Sequence, residues 1–81
     1  MSKTMMWAET DAQGFESECM FNEDQRSYEV MVCAKGRGFC LHESFPVQAE
    51  PMPDMHAEDR RRSIEIAERL TREVAHKLGD H

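Results

Sequence analysis

The sequence predicts an α+β fold in which a three- to four-stranded antiparallel meander packs on one long C-terminal helix. Two observations carry this prediction. Apolar residues alternate with polar ones through residues 15–21 and 28–45, and they recur at spacings of three and four through residues 55–78. A chain of 81 residues makes one small domain. We divide it into an N-terminal arm or edge strand (1–13), an antiparallel sheet (14–45), a proline-rich connection (46–54) and a helix (55–78).

The N-terminal segment contains the bulky run TMMWAE at residues 4–9, which suits an edge strand or an ordered arm. Trp7 is the only tryptophan, and we interpret it as a core or edge-packing ring in preference to an interface anchor. Residues 11–14, DAQG, predict a turn. Residues 15–21, FESECMF, then alternate, which predicts a strand.

Residues 28–45, YEVMVCAKGRGFCLHESF, have the pattern of a β-hairpin. A turn centred on Gly36 and Arg37 places residues whose numbers sum to 73 opposite one another, so Cys33 faces Cys40. If Phe21 pairs with Tyr28, the preceding strand joins the hairpin and shares its apolar face. That face is the predicted core of the sheet, and it collects Phe15, Cys19, Phe21, Tyr28, Val30, Val32, Ala34, Phe39, Leu41 and Phe45.

Three prolines in residues 46–53 exclude helix interior there and predict an extended connection. Asp54 is the predicted N-cap, because its carboxylate can accept hydrogen bonds from the free amides of a first helical turn. Gly79 suits the position just after the helix. The apolar stripe expected to cover the sheet consists of Ile64, Ala67, Leu70, Val74 and Leu78. Opposite charges four residues apart, such as Arg61 and Glu65, predict a solvated far side.

The net charge of −6 lies entirely in the sheet half of the chain, because residues 1–54 hold four basic and ten acidic side chains and residues 55–81 hold six of each. An acidic surface repels phosphate, so we expect a protein partner with a basic surface and no direct binding to nucleic acid or membrane. No apolar run reaches the length of a membrane span, and no secretory signal precedes the domain. We therefore expect a cytoplasmic protein.

The cysteines raise the question of metal or thiol chemistry. Three cysteines without an export signal predict reduced thiols, and a cytoplasmic setting argues against a Cys33–Cys40 disulfide. Strand parity places Cys19 on the core face but Cys33, Cys40 and His42 on the opposite face, so we expect no metal and no cofactor. No enclosed, electropositive site surrounds a thiol, and we expect no enzyme activity. A zinc-stabilised binding module is kept as an alternative.

The sheet face opposite the core is the expected working surface. It is acidic at its edges and semi-apolar at its centre, where Met31 lies beside the cysteines, and exposed methionines form adaptable binding surfaces. The hairpin turn adds a basic tip. The residues expected to contact a protein partner are Glu16, Glu18, Glu23, Asp24, Glu29, Met31, Lys35, Arg37 and His42.

In its length, in the acidic strands GFESECMFNED and YEV, in the strand FCLHE and in the absence of a catalytic constellation, the chain resembles small phage-encoded anti-CRISPR proteins. The resemblance implies a non-catalytic inhibitor that blocks DNA binding by occupying the basic surface of a CRISPR effector complex in the host bacterial cytoplasm. It also implies that the strand carboxylates face Lys or Arg of that complex. The alternative is a small regulatory or antitoxin-like subunit that dimerises or binds a cognate enzyme. We expect a monomer or a weak homodimer.

Overall fold

The computed structural model describes residues 3–34, 36, 38–48 and 55–78. It confirms the predicted α+β fold, with a four-stranded antiparallel sheet in the order β1-β2-β3-β4 and one C-terminal helix. The elements are β1 (Lys3–Thr10), β2 (Phe15–Asn22), β3 (Ser27–Ala34), β4 (Phe39–Pro46) and α1 (Ala57–Lys77). The helix packs mainly over β3 and touches β4 and β2 less. We call the covered side of the sheet the inner face and the opposite side the outer face.

Both predicted strand registers are confirmed. The numbers of paired residues sum to 73 between β3 and β4, where Cys33 lies opposite Cys40. They sum to 49 between β2 and β3, where Cys19 lies opposite Val30. Gly36, in the reversal between β3 and β4, has a φ of 78°, a left-handed value that a residue without a Cβ adopts readily. The alternation of side chains along each strand therefore fixes which residues face the helix.

β1 completes the sheet as an edge strand, and it contains a bulge at Met6. Met5 lies opposite Met20 and Trp7 lies opposite Cys19, so β1 has one residue more than the part of β2 that it pairs with. Both Met6 and Trp7 pack, partly buried, against the core. Trp7 is therefore a core-packing ring, as its sequence context predicted.

The predicted turn between β1 and β2 is organised by Asp11. Its Oδ1 accepts hydrogen bonds from the amides of Gln13 at 2.9 Å and Phe15 at 3.0 Å. Gly14 completes the turn with a φ of 92°. A short polar side chain that bonds to backbone amides two and four residues ahead is typical of such turns. The bonds hold the Asp11 carboxylate at the end of β1.

The helix begins later than predicted, and the prediction that Asp54 is its N-cap is wrong. His56 is the N-cap, and its Nδ1 accepts a hydrogen bond from the Glu58 amide at 3.2 Å. The reason lies in Met55, which is buried in the core, so the chain enters the core before the first helical turn starts. Asp54 itself and Gly79, the predicted end of the helix, lie outside the described residues, as does most of the proline-rich connection.

The buried stripe of α1 is more polar than predicted. Ile64 was placed in the stripe but is 41% exposed, whereas the buried positions are Asp59, Ser63, Ile66, Ala67, Leu70 and Val74. Asp59 Oδ2 accepts a hydrogen bond from the Gln48 amide at 2.9 Å, which ties α1 to the chain just after β4. Ser63 Oγ accepts from the Trp7 indole N–H at 2.9 Å. Partners of this kind allow polar groups to occupy core positions.

The core lies between α1 and the inner face. Tyr28, Val30 and Val32 are fully buried, as strand parity predicted. The Tyr28 ring packs between Phe21 and Phe45, with ring centroids 5.5 and 5.4 Å away. Burying a valine or phenylalanine side chain completely contributes about 1.5–3 kcal/mol to the free energy of unfolding. The inner face is therefore where most of the apolar burial of this small domain is concentrated.

Candidate functional site

The outer face is not covered by any other element among the described residues. Its residues form rows across the sheet, because each strand is paired with the next in register. One row contains Glu18, Met31 and His42, which belong to three different strands. The next row toward the hairpin turn contains Glu16, opposite the Cys33–Cys40 pair. The structure thus brings Glu18, Met31 and His42 together on the outer face, where strand parity places them.

A shallow depression of about 370 Å³ lies on the outer face. The side chains that line it are Lys3, Glu18, Met20, Glu29, Met31, His42 and Ser44. Two thioethers give it an apolar floor, and charged groups from three strands surround them. This mixture of an adaptable apolar centre and a polar rim is typical of protein-binding surfaces.

The Glu29 carboxylate is already engaged within the molecule. Lys3 Nζ donates to its Oε1 at 3.0 Å, and Asn22 Nδ2 donates to its Oε2 at 3.2 Å. These hydrogen bonds, that from Lys3 foremost, hold the pKa of Glu29 below its usual value of 4.5. Glu29 therefore offers a partner less free negative charge than its position in the sequence indicated.

The other predicted carboxylates are spread along β2 and the turn after it. Glu16 is exposed and Glu18 half-buried on the outer face, while Glu23 and Asp24 are exposed in the turn between β2 and β3. Among the described residues, none of these four carboxylates forms an ion pair. Seven residues of extended strand separate Glu16 from Glu23, which is roughly 23 Å at 3.3 Å per residue. The acidic set is therefore a band along the sheet. Lys35 and Arg37, predicted as a basic tip, lie outside the described residues.

Cys33 and Cys40 form a disulfide across β3 and β4, so the prediction of reduced thiols is wrong for this pair. The physical reason is the register itself, which sets the two residues directly opposite each other on one face. A zinc site on these residues is incompatible with the disulfide, because metal-bound cysteines are thiolates. Within the described ranges, no group of three or more His, Cys, Asp or Glu side chains is arranged to hold a metal ion.

Cys19 is the remaining thiol, and it is buried on the inner face. Burial raises the pKa of this thiol to about 11. Cys19 is therefore neutral near pH 7, and thiols in this state are poor nucleophiles. With the other two cysteines joined to each other, none of the three supplies a thiolate.

A second open surface, which was not predicted from the sequence, lies on the other side of the sheet. It is a crevice of about 300 Å³ between β1 and α1, lined by Trp7, Glu9, Asp11, Ser17, Arg60, Ile64, Ala67, Glu68 and Thr71. Its only sequence signal was the position of Ile64, an apolar residue that we assigned to the core. We call this surface the β1–α1 crevice.

Comparisons of the chain with family models, with curated proteins and with solved structures found no match. Of the helices in the described ranges, none is long and apolar enough to cross a membrane. What the protein does must therefore be inferred from the geometry and charge of surfaces such as the outer face and the β1–α1 crevice.

Proposed function

We propose that this protein acts by binding another protein through the outer face of its sheet, and that the surface it binds is basic. The observation that carries the proposal is the composition of that uncovered face. Met20 and Met31 form an apolar centre, and the carboxylates of Glu16 and Glu18 flank it without an ion pair among the described residues. Lys and Arg side chains of a partner complement such a band of carboxylates.

The outer face is also preorganised for binding. Each strand is paired in register with the next, and the Lys3–Glu29 ion pair ties β1 to β3 across the face. A face that is already rigid loses little conformational entropy when a partner docks on it. This favours recognition of a partner with a fixed surface over the capture of a disordered segment.

The partner class that we propose is a nucleic-acid-binding complex of bacterial defence, of which a CRISPR effector complex is the leading candidate. Complexes that hold nucleic acid present grooves of Lys and Arg to the phosphates, and a chain of net charge −6 is drawn to the same grooves. Under this proposal the protein inhibits DNA binding, has no catalytic activity and works in the cytoplasm of a phage-infected host as a monomer or weak homodimer. A reducing cytoplasm converts the disulfide to two thiols. The strand pairing that shapes the face does not depend on that bond.

The test is a binding assay with purified CRISPR effector complexes, read out as loss of binding to labelled target DNA. Glu18→Lys and Glu65→Lys form a matched pair, because each changes the net charge equally but only Glu18 lies on the outer face, whereas Glu65 is exposed on α1. We expect Glu18→Lys to weaken inhibition by about tenfold and to flatten its salt dependence. Glu65→Lys should leave inhibition nearly unchanged.

Two results would contradict the proposal. If no effector complex is bound and DNA binding persists, the CRISPR assignment is wrong. If the two variants weaken binding equally, the partner senses the overall charge and does not dock on the outer face. A third result would favour the antitoxin-like alternative instead. It is a stable homodimer in sedimentation whose outer face is protected from amide hydrogen exchange.

A further inference from the structure

The β1–α1 crevice exists because the helix does not extend over the whole inner face. It packs on β3, β4 and β2, and the inner side of β1 is left beside it. Trp7 reaches from β1 toward the helix, while Ile64, Ala67 and Thr71 line the crevice from the helix side. The resulting volume of about 300 Å³ is at the lower end of the range for binding pockets.

The indole of Trp7 is held in one position. Its Nε1 donates to Ser63 Oγ at 2.9 Å, and the Ser63 hydroxyl donates in turn to the Arg60 carbonyl at 2.7 Å. The ring is half-buried and its N–H is already used, so what it offers to a ligand is its aromatic surface. Ile64, 41% exposed, adds an aliphatic surface on the opposite wall.

The charged groups around the crevice are mostly acidic. Three carboxylates, those of Glu9, Asp11 and Glu68, line it against the single guanidinium of Arg60, which leaves a local charge of −2. Neither Glu9 nor Glu68 forms an ion pair within the described part of the chain. Asp11 is held in place by the two turn amides that it accepts from. An aromatic ring, aliphatic walls and an acidic rim together select a cation on an apolar stem.

We propose that the β1–α1 crevice binds an arginine side chain presented by an extended segment of a partner protein. The alkyl stem packs along Ile64 and Ala67, and the guanidinium stacks on the Trp7 ring within reach of the rim carboxylates. A guanidinium is planar, weakly hydrated and able to stack on an aromatic ring while it donates to carboxylates. Lysine carries a compact and strongly hydrated charge, and it fits the same crevice less well.

The position of the crevice makes such a segment accessible. β1 is an edge strand, so the crevice lies along the margin of the sheet and not beneath its centre. An extended peptide running beside β1 can insert one side chain without moving any element. The site is separate from the outer face, and its occupation does not depend on the function proposed above.

The experiment uses the fluorescence of Trp7, which is the only tryptophan of the chain and lines the crevice itself. The probe is the capped peptide Gly-Gly-Arg-Gly-Gly, titrated into the intact protein, with matched peptides that carry citrulline or lysine in place of arginine. We expect a saturable change in Trp7 emission with the arginine peptide, at a Kd on the order of 1 mM for a single side chain. Lysine should bind several-fold more weakly, and citrulline, which is neutral, should give no saturable change.

Variants localise the binding. Glu9→Gln and Glu68→Gln should each raise the Kd by about three- to tenfold, and Ile64→Ala should raise it by a smaller factor. Glu18→Gln, which removes a carboxylate from the outer face, is the matched control and should leave the Kd unchanged. The indole N–H resonance of Trp7 in NMR spectra provides a second readout that is insensitive to quenching by the peptide. Equal responses to arginine and citrulline, no saturable response at all, or equal weakening by Glu18→Gln would each overturn the proposal.

Discussion

On the inner face of the sheet, α1 is held by apolar packing and by hydrogen bonds from the Trp7 indole and the Gln48 amide. On the outer face, the strands are linked by a disulfide and an ion pair. Leu70 is 3% exposed and Val74 is fully buried, and the polar Ser63, on the buried side of α1, is fully buried and accepts a hydrogen bond from the Trp7 indole. The outer face has half-exposed and exposed side chains, and within the described part of the chain no element lies over it. Side chains on the outer face are therefore constrained less by folding and are freer to serve recognition.

The largest difference between the faces should appear when one apolar side chain is truncated on each. Leu70→Ala removes buried methyl groups and should lower the free energy of unfolding by about 2–5 kcal/mol. Met31→Ala, on the outer face, should lower it by less than about 1 kcal/mol. Urea denaturation followed by circular dichroism measures both. Similar losses for the two variants would mean that the outer face is packed against something.

Removing the disulfide tests how much the outer face contributes through its covalent bond. Cys33 and Cys40 are seven residues apart in sequence, and closing so short a loop is worth about 2.5 kcal/mol in the chain-entropy model. We expect Cys33→Ser/Cys40→Ser to lose about that much stability and to keep the strand pairing. Dithiothreitol should shift the unfolding midpoint of the wild type and of Cys19→Ala equally, but not that of the double variant. A shift that depends on Cys19 would disprove the Cys33–Cys40 bond.

On the inner face, Ser63→Ala should cost about 1–2 kcal/mol, because it leaves the Trp7 indole N–H without its partner. Thr71→Val is a suitable control, since it also deletes a hydroxyl, but one that donates only to the Ala67 carbonyl of its own helix. We expect the control to cost less than about 0.5 kcal/mol. Trp7 emission should change in Ser63→Ala alone, and an unchanged emission would mean that the indole is not bonded to Ser63.

The smallest effect concerns the ion pair on the outer face. Lys3→Met should cost about 0.2–1 kcal/mol near neutral pH, as is usual for exposed pairs. The pKa of Glu29 is lowered by Lys3, so the stabilisation is present above about pH 4.5 and is lost as the pH falls through the lower folded-state value. The wild type and Lys3→Met should therefore converge in stability in acid. A double-mutant cycle with Glu29→Gln measures the interaction energy between Lys3 and Glu29. If the wild type is still more stable than Lys3→Met at pH 2, the difference in stability has another cause.

The registers could be predicted from the sequence because each followed from local rules. Glycines fix the reversal between β3 and β4, and alternation then assigns every side chain to a face. The same logic set Cys33 opposite Cys40, yet the prediction that these two thiols are reduced was wrong. It rested on an inferred cellular compartment and not on the strand geometry, and strand geometry is what places the two sulfurs within bonding reach.

The helix was harder to predict in detail because hydrophobicity alone was used to orient it. Asp59 and Ser63 are polar, but the Gln48 amide donates to Asp59 Oδ2 and the Trp7 indole N–H donates to Ser63 Oγ, so both lie toward the sheet while Ile64 faces the crevice. Those partners come from residues distant in sequence, and no local pattern reveals them. The β1–α1 crevice was missed for the same reason, since its walls come from two ends of the chain.

The bulge at Met6 has a consequence for insertions and deletions in this chain. Loss of one residue from a regular strand exchanges the two faces for every position on one side of the change. Loss of Met6 is different, because Met5 and Trp7 already lie opposite consecutive residues of β2. A chain shortened at this position keeps Lys3 near Glu29 and the indole near Ser63, and it gives up only the packing of one methionine. The edge strand thus has a single position at which its length can change while both of its faces are preserved.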